Sequence, residues 1–365
     1  MMLQVEMLPA NEGDALWVEY GDPNAPHRLI IDAGRKEGYR VLVDRIASSG
    51  GPIELLVLTH VDDDHIFGAV PLLADARIDR SRFTDIWYNG YTHLDPLIAR
   101  RPPADLLGPQ NGEIFAGLLL RGKFAWNESF RGGGTIVVPD SGRLPAIVLG
   151  GGLKLTLLSP TWEGLIALKD FWERELEDLQ PGSPEAALEI FEEKPALQPD
   201  VLGAGSIDID DLVERPYVED TREPNGSSIA FLAEFEGSAI LFTGDAHPRV
   251  LVQSLNRLLQ ERNIPVLPLD AFKVSHHGSR NNTSPELLRL VECRRFLFSS
   301  NGTKHGHPHQ ETIARILQRN IENDLPTELL FNYASEQNRI WDETDVKDEW
   351  NYTTHYPPTG SLLRL

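Results

Sequence analysis

Short apolar segments separated by polar turns dominate the first sixty residues and predict a β-rich start to the chain. The turns are built from Gly, Pro, Asn and Asp, residues that favour sharp changes of direction. A segment with helical spacing and an apolar run come next. The predicted strands are Leu3–Leu8, Ala15–Tyr20, Arg28–Asp32 and Ile53–Leu58, and the predicted helix is Arg40–Ser48.

The rest of the chain repeats a strand, a polar loop and then a helix. This alternation, with both faces of a sheet covered, predicts an α/β fold. Further strands are predicted at Asp85–Tyr88, Thr135–Val138, Gly152–Leu158, Ser228–Phe235, Ser238–Phe242, Ala271–Val274 and Arg295–Ser299. Further helices are predicted at Ile66–Ala74, Glu113–Leu120, Leu165–Leu179, Pro184–Glu193, Pro248–Arg262, Pro285–Val291 and Glu311–Asn320.

The composition is typical of a globular protein with a sizeable core, because 41% of the 365 residues are hydrophobic and 24% are charged. The single cysteine, Cys293, excludes an intramolecular disulfide and zinc sites built from cysteine. No basic stretch followed by an apolar one opens the chain, and no apolar run reaches the roughly 18–20 residues of a membrane span. We therefore expect a cytoplasmic protein without a membrane partner.

Negative charge is concentrated in one segment. The formal net charge is −21, and residues 161–220 hold 17 Asp and Glu against 4 Lys and Arg. We predict an acidic, solvated insertion without chemistry at about residues 161–222, with a mobile surface loop at about Pro195–Asp220; a lid over a site is the alternative. The acidic field and the lack of a strong basic patch disfavour nonspecific coating of DNA, although a nucleic-acid substrate remains compatible with a local metal centre.

The stretch His60-Val61-Asp62-Asp63-Asp64-His65 follows the predicted strand Ile53–Leu58. So many imidazoles and carboxylates are costly to hold together without a cation. A mixed His and Asp set suits a divalent transition metal. A loop after a strand can turn these side chains towards one point, whereas a helix would disperse them. Asp245 and His276 also follow apolar strands, which predicts that they lie at the same sheet edge.

The order of the polar motifs resembles the metallo-β-lactamase superfamily. The branch it is most similar to is the nuclease-like domain of the DNA-uptake competence protein ComEC. The matching motifs are Glu12-Gly13-Asp14-Ala15, Ile31-Asp32-Ala33-Gly34, His60-x-Asp62-x-Asp64-His65, Thr243-Gly244-Asp245, His276-His277-Gly278-Ser279 and Gly306-His307-Pro308-His309. The resemblance implies a four-layer αββα sandwich of two mixed sheets over residues 1–325. A β-rich extension at 326–365 is expected to pack on the same domain.

The resemblance also implies a metal site that holds one or two divalent ions, zinc or manganese. His60 and Asp62 would bind one ion, Asp64 and His65 the other, and Asp245 would bridge the two. His276 would complete the site of Asp64 and His65. A single tightly bound ion at Asp64, His65, Asp245 and His276 is the alternative, because the superfamily's further His is replaced here by Pro224 or Asn225.

Other residues near these motifs are candidates for support or catalysis. Asp14 and Asp32 are expected to fix loops or orient ligating histidines, with Asn225, Ser228 and Ser279 as further supporting or substrate-contacting residues. The candidate catalytic residues are Asp64, His277 and His307. Three roles are open for His277: it supports a metal ligand, contacts phosphate or packs the loop. Two are open for His307: it donates to a phosphate, or it is structural. Asp63 is expected to be a loop or helix-cap carboxylate, and Lys273, Arg280, Arg294, Arg295 and Lys304 are candidate phosphate contacts in a nuclease.

The function expected from the resemblance is a metal-dependent hydrolase in which a metal-bound hydroxide attacks a phosphodiester, as in a nuclease or phosphodiesterase. The first alternative is an ester or thioester hydrolase with the same centre, since one fold hosts many chemistries. The second is a non-catalytic binding module that retains the fold. The expected substrate contains phosphate or an ester, and the sequence leaves the oligomeric state open.

Overall fold

The computed structural model describes residues 1–94, 110–177 and 207–365. The predicted helix Pro184–Glu193 lies outside these residues. The strands are β1 Met2–Met7, β2 Leu16–Asp22, β3 Ala25–Ile31, β4 Ile53–Val57, β5 Phe83–Trp87, β6 Ala146–Val148, β7 Lys154–Ser159, β8 Ala230–Phe235, β9 Ser238–Phe242, β10 Leu267–Leu269, β11 Ala271–Lys273, β12 Val291–Cys293, β13 Arg295–Phe298, β14 Thr327–Phe331, β15 Tyr352–His355 and β16 Leu362–Arg364. The α-helices are α1 Lys36–Ser48, α2 Asp63–Ile66, α3 Ala69–Ala74, α4 Gln110–Gly122, α5 Trp162–Glu177, α6 Ile209–Glu214, α7 Glu223–Gly226, α8 Pro248–Arg262, α9 Pro285–Arg289, α10 Gln310–Glu322, α11 Glu336–Arg339 and α12 Thr344–Trp350.

Two large mixed sheets form the centre of the fold. The first has the order β16-β1-β2-β3-β4-β5 and the second the order β15-β14-β13-β11-β9-β8-β7-β6. In the first sheet β3, β4 and β5 are parallel, and in the second the parallel part runs from β9 through β11, β13 and β14 to β15. Antiparallel hairpins make up the rest, which explains the short turns between the first strands.

The two sheets pack face to face. Trp87 of β5 contacts Phe231 of β8 with ring centroids 6.4 Å apart, and Tyr20 of β2 contacts Phe235 of β8 at 5.5 Å. Four of the five residues of β4 are apolar, because Leu55 and Val57 face this inter-sheet core while Ile53 and Leu56 face a second core on the outer side.

Helices cover both outer faces. α1, α3, α4 and α5 bury their apolar residues against the outer face of the first sheet. α8 and α10 do the same on the second sheet. The predicted four-layer αββα sandwich is therefore confirmed. Among the helices of the described residues, none is long and apolar enough to cross a bilayer.

Two predictions of local structure are wrong. Thr135–Val138 is not a strand, because the Asn89 side chain accepts from Ile136 N at 3.0 Å and donates to Ile136 O at 2.8 Å, which satisfies the backbone without a partner strand. The predicted helix Ile66–Ala74 is instead α2 and α3, and α2 begins at Asp63, so Asp64 and His65 lie on a helical turn rather than on a loop.

Residues 326–365 contribute to both sheets. β14 and β15 extend the second sheet, and β16 pairs antiparallel with β1 in the first. Two short helices, α11 and α12, lie between these strands. The division of the chain at residue 325 stays a prediction.

Candidate metal centre

Four loops at the carboxyl ends of β4, β9, β11 and β13 meet at one edge of the sandwich. Backbone bonds tie them together, because Ile229 N donates to Thr59 O at 2.9 Å and His276 N donates to Gly244 O at 3.0 Å. Gly244 is left-handed, with φ 48°, and a Cβ there would lie 3.1 Å from Thr59. The close approach of the two sheets at this point therefore requires glycine.

Asp245 lies at the centre of these loops and is buried. Its Oδ1 is 3.4 Å from His65 Nε2, and its Oδ2 is 3.7 Å from His60 Nε2 and 3.5 Å from His276 Nε2. Asp245 N donates to Ser228 Oγ at 3.2 Å, which fixes the start of the loop. Each carboxylate oxygen thus faces imidazole nitrogen, which is the arrangement that a bridging ligand requires.

We name Asp64, His65 and His277 the inner cluster. Their ligand-type atoms all lie within 4.8 Å of one another. His65 Nε2 is 3.2 Å from His277 Nε2, and Asp64 Oδ2 is 3.6 Å from His277 Nε2. The sequence prediction put His276 in this position, and the structure places His277 there instead.

We name His60, Asp62 and His276 the outer cluster. His60 Nε2 lies 3.9 Å from Asp62 Oδ2, and both His60 and His276 face Asp245 Oδ2. The side chains of Asp62 and His276 are 19% and 14% exposed, that of Asp64 in the inner cluster is 13% exposed, and the other three histidines are buried. The outer cluster therefore has two partly exposed side chains and the inner cluster one.

The backbone at residues 276 and 277 explains why consecutive histidines enter different clusters. Both are left-handed, with φ 49° at His276 and 55° at His277. This conformation is uncommon for residues with a side chain and persists where the surroundings enforce it. A regular strand or helix could not send neighbouring side chains to these two places, so the sequence pattern alone could not divide them.

The inner histidines present the same ring nitrogen to the centre. His65 Nδ1 donates to Asp32 Oδ2 at 2.7 Å, and His277 Nδ1 donates to Ser299 O at 2.9 Å. Since each Nδ1 carries the proton, each Nε2 of the neutral ring is a lone-pair acceptor. Two such acceptors 3.2 Å apart repel each other unless a cation or proton lies between them.

The outer histidines use the same tautomer. Thr59 Oγ1 donates to Asp32 Oδ2 at 2.8 Å, so it accepts from His60 Nδ1 at 3.0 Å. His276 Nδ1 donates to Asn282 Oδ1 at 2.9 Å. Both outer Nε2 atoms are thereby left as acceptors, so the centre contains four imidazole lone pairs, and three of them face the shared carboxylate of Asp245.

The residues fit a pair of divalent metal ions. Buried polar atoms normally have hydrogen-bond partners, yet His60 Nε2 and Asp245 Oδ1 are buried without one. Ligating histidines typically donate their second nitrogen to a carboxylate or carbonyl oxygen, as the inner pair does. The donor set is imidazole and carboxylate only, which suits zinc, manganese or iron.

Asp14 and Lys273 form a buried ion pair beside the inner cluster. Lys273 Nζ is 2.8 Å from Asp14 Oδ2, and both side chains are 2% exposed. Asp14 Oδ1 lies 3.3 Å from His277 Nδ1. Although burial opposes the charged form, Asp14 and Asp245 raise the pKa of His277 to about 9. Asp14 therefore orients a metal-facing histidine, and Lys273 is not available to bind phosphate.

Asp32 supports both clusters through hydrogen bonds to His65 and Thr59. It accepts from His65 Nδ1 and from the Thr59 hydroxyl, and its Oδ1 accepts from Thr59 N at 2.7 Å. Burial opposes protonation of His65, but Asp245 and Asp32 raise the pKa of His65 well above its ordinary value. The expected role of Asp32, orienting a ligating histidine, agrees with this position.

Asp220 belongs to the acidic segment and lies at the outer cluster. Its Oδ2 is 3.5 Å from His276 Nδ1 and accepts from Asn225 Nδ2 at 2.6 Å and Asn282 Nδ2 at 2.9 Å. Asn225 is fully buried, and its Oδ1 has no partner. The acidic segment thus contributes to the site, contrary to the expectation of a solvated insertion without chemistry.

Arg222 lies at the mouth of the outer cluster. Its guanidinium is 3.1 Å from Asp62 Oδ2 and is 57% exposed. Burial raises the pKa of Asp62 to about 6, with Asp64 and Asp245 adding to the rise and Arg222 opposing it. A further cation at the outer cluster would therefore keep Asp62 charged at lower pH.

His307 is buried beside both clusters. Its ring centroid is 5.3 Å from that of His276 and 6.1 Å from that of His277. Burial and the neighbouring imidazoles His276 and His309 hold the pKa of His307 well below its ordinary value. His307 is therefore a neutral imidazole at the edge of the centre.

The remaining candidates lie away from the ligand atoms. Ser279 Oγ accepts from Asn281 N at 3.3 Å within its own loop. Asp63 accepts from Asn111 Nδ2 at 2.7 Å at the surface, as expected of a loop carboxylate. Arg294 and Arg295 stand at the amino end of β13, opposite the loops of the centre.

Sequence reasoning missed Thr59, Asp220, Arg222 and Asn282. Thr59 adjoins His60, so a hydroxyl next to a ligand is the one signal that could have identified it. Asp220 and Arg222 are hidden among many charged residues, and only the folded backbone brings them to His276 and Asp62.

Two face-to-face mixed sheets, helices on both outer faces and the ordered His/Asp motifs at one edge decide the architecture. The chain has the metallo-β-lactamase fold.

No family model matches the sequence. The ComE operon protein 3 of Bacillus subtilis (strain 168) is 27% identical over 114 residues, which are 31% of this chain and 14% of that relative. This match agrees with the ComEC-like resemblance, and the chain spans only about a seventh of the relative's length.

Solved structures with a similar arrangement include the metallo-beta-lactamase fold protein YhfI from Bacillus subtilis. It shares 11% identity with this chain at a TM-score of 0.43, with 100% of this chain and 99% of that one covered. CmlA, a diiron beta-hydroxylase from Streptomyces venezuelae, shares 10% identity at a TM-score of 0.40, with 100% and 53% covered.

Proposed function

We propose that this chain is a metal-dependent hydrolase that cleaves phosphodiesters of nucleotides or oligonucleotides. The observation that carries the proposal is that three imidazole nitrogens, those of His60, His65 and His276, face the two oxygens of Asp245, while the fourth, His277 Nε2, lies 3.2 Å from His65 Nε2. Divalent ions held there would acidify water and offset the negative charge of a phosphate. The inner cluster and Asp245 would hold one ion, and the outer cluster with the other oxygen of Asp245 would hold the second.

Charged residues at the mouth support a phosphate substrate. Arg222 is 57% exposed and pairs with Asp62 at 3.1 Å, so its guanidinium can turn to a phosphate oxygen. An ion that neutralises Asp62 would release Arg222 for this contact. Lys304 lies on the loop that follows β13, close to exposed His305.

His307 would donate a hydrogen bond to the bound phosphate. Because its ring is neutral and buried, one ring nitrogen carries a proton and the other does not. Asp64 and His277, the other candidate catalytic residues, would act by holding an ion rather than by transferring a proton, since their atoms lie within the inner cluster.

The alternative is an ester or thioester hydrolase with the same centre. A neutral ester gains little from the Arg222 guanidinium, so this cation favours the phosphodiester. A non-catalytic binding module has no observation in its favour, because both clusters keep their imidazoles and carboxylates.

Zinc and manganese are both compatible with the donor set, and a cytoplasmic location stays a prediction.

A substrate panel tests the proposal. Protein freed of metal and reloaded with manganese or zinc is assayed with bis(p-nitrophenyl) phosphate, dinucleotides and p-nitrophenyl acetate. We expect metal-dependent turnover of the phosphodiesters that Asp245→Ala removes and Asp63→Ala retains. Turnover of the acetate alone, or phosphodiester turnover that Asp245→Ala leaves intact, would contradict the proposal.

A further inference from the structure

A cavity of about 370 Å³ lies beside the metal centre and is lined by Pro216, Val218, Arg280, Asn281, Glu311 and Arg315. Arg280 and Asn281 belong to the same loop as Asn282, which holds His276 by a 2.9 Å hydrogen bond. The backbone N of Arg280 donates to His309 Nδ1 at 3.1 Å, and the His309 ring contacts His307. The cavity therefore adjoins the centre through a shared loop and a shared imidazole.

Arg315 is a buried cation in this cavity without a carboxylate partner among the described residues. It is 4% exposed, its NH1 donates to Arg280 O at 2.7 Å, and its guanidinium lies 5.1 Å from the ring centre of Tyr217. Glu311 instead pairs with Arg215 at 3.2 Å and with Arg280 at 3.4 Å. The charge of Glu311 offsets part of the cost of burying Arg315, but Glu311 is paired with two other arginines, so an anion that reaches Arg315 would lower the remaining cost.

The lining of the cavity carries an excess of positive charge in a strongly acidic chain. It contains two arginines, Arg280 and Arg315, against one carboxylate, Glu311. Arg280 is 51% exposed, and its long contact with Glu311 leaves guanidinium N–H groups free to bind an anion.

The walls of the cavity are held in place. Tyr217 Oη donates to Asn281 O at 2.7 Å, Asp220 N donates to the same oxygen at 3.0 Å, and Asn281 Nδ2 donates to Val218 O at 2.5 Å. These bonds join the segment 217–220 to the loop of the centre. Val218 is 65% exposed and gives the cavity an apolar wall opposite its cations.

We infer that this cavity is an anion subsite that binds a second phosphate group of the substrate, next to the phosphodiester at the metal centre. The inference rests on the proposed function, and it narrows the substrate to nucleotides or oligonucleotides with a flanking phosphate. Arg280 and Arg315 supply the fork-shaped donors that phosphate requires, and the apolar wall suits a sugar or base beside it.

Calorimetry with inorganic pyrophosphate on metal-free protein tests the subsite directly. Arg280→Gln should weaken pyrophosphate binding about tenfold, as expected for the loss of a charged hydrogen bond. Arg315→Lys keeps the charge but loses the fork and should also weaken it. Arg294→Gln, an equal loss of charge at an exposed position at the far end of β13, should leave binding unchanged. Equal binding by Arg280→Gln, Arg294→Gln and the unmodified protein would overturn the inference.

Kinetics distinguish a site that binds only free anions from one that binds a flanking phosphate of the substrate. A dinucleotide with an added terminal phosphate should have a KM about tenfold below that of the same dinucleotide without it, and Arg280→Gln should remove the difference. If the added phosphate has no effect in the unmodified protein, the subsite is not used by the substrate and the inference fails while the proposed function stands. If no phosphodiester is cleaved, the proposed function fails and the calorimetry alone decides whether an anion site exists.

Discussion

The inner and outer clusters contain the same side-chain types but are supported differently. Each has two imidazoles and one carboxylate, and they share Asp245. Asp32 and Asp14 lie 2.7 and 3.3 Å from the Nδ1 atoms of the inner histidines. A hydroxyl and an amide accept from the outer pair, and one carboxylate, Asp220, lies farther away, 3.5 Å from His276 Nδ1. Anionic acceptors orient a histidine and increase its basicity. The comparison teaches that supporting residues, rather than ligand types, should make the inner cluster the tighter metal site.

Asp245→Ala removes the carboxylate that the clusters share and should have the largest effect. Activity should fall by about a thousandfold or more, because several kcal/mol of charge stabilisation disappear with the paired ions. Mass spectrometry of the dialysed protein should show less metal at both clusters. Metal content and activity near those of the unmodified protein would remove Asp245 from the centre.

Asp64→Ala and Asp62→Ala test the two clusters separately. Asp64→Ala should abolish the tighter of two binding steps in a metal titration, while Asp62→Ala should weaken only the looser step, by about 10- to 100-fold. Asp63→Ala is the matched control, because this carboxylate lies between the two but is 52% exposed and bonded to Asn111. Equal losses in the two variants would contradict the ranking of the clusters.

Much of the fold could be predicted from the sequence. The apolar run of β4 and the strands β9, β11 and β13 are visible because each is apolar and ends in a polar motif. The edge where Asp64, Asp245 and the consecutive histidines meet follows from those strand ends. The irregular conformation of Thr135–Val138 was not predictable. The Asn89 side chain takes the place of a partner strand there, and it reaches Ile136 only in the folded chain.

The division of ligands between the clusters could not be predicted. It depends on the left-handed backbone at His276 and His277, which no residue type there requires. Lys273 next to a loop of histidines suggests a phosphate contact, and only burial against Asp14 shows otherwise. Asp220 reaches His276 through a long-range contact that leaves no pattern in the acidic segment.

Lys273→Met tests the support of the inner cluster. It leaves the Asp14 carboxylate buried without its partner and should cost about 3–5 kcal/mol of the free energy of unfolding, measured by urea denaturation of metal-free protein. The double variant Asp14→Asn with Lys273→Met should recover most of this loss. A cost below about 1 kcal/mol for the single variant would mean that the pair does not constrain this region.

The pH dependence of stability should reflect the charged histidines of the metal-free centre. The pKa of His277 is raised to about 9, so its stabilising charge is fully present below pH 6.5 and is lost as the pH rises to 9. His65 and His276 are shifted in the same direction. The free energy of unfolding of metal-free protein should therefore fall between pH 6.5 and 9, by at most about 1.4 kcal/mol per pH unit for each proton. A flat profile would show that these histidines are neutral.

Metal titration of the unmodified protein tests the central claim most directly. Metal-free protein is titrated with manganese or zinc by calorimetry, and the stoichiometry is checked by mass spectrometry. Two ions should bind per chain in two unequal steps, and Asp64→Ala should remove the tighter one. Binding of a single ion, two equal steps, or a tighter step that survives Asp64→Ala would contradict a paired centre with a dominant inner cluster.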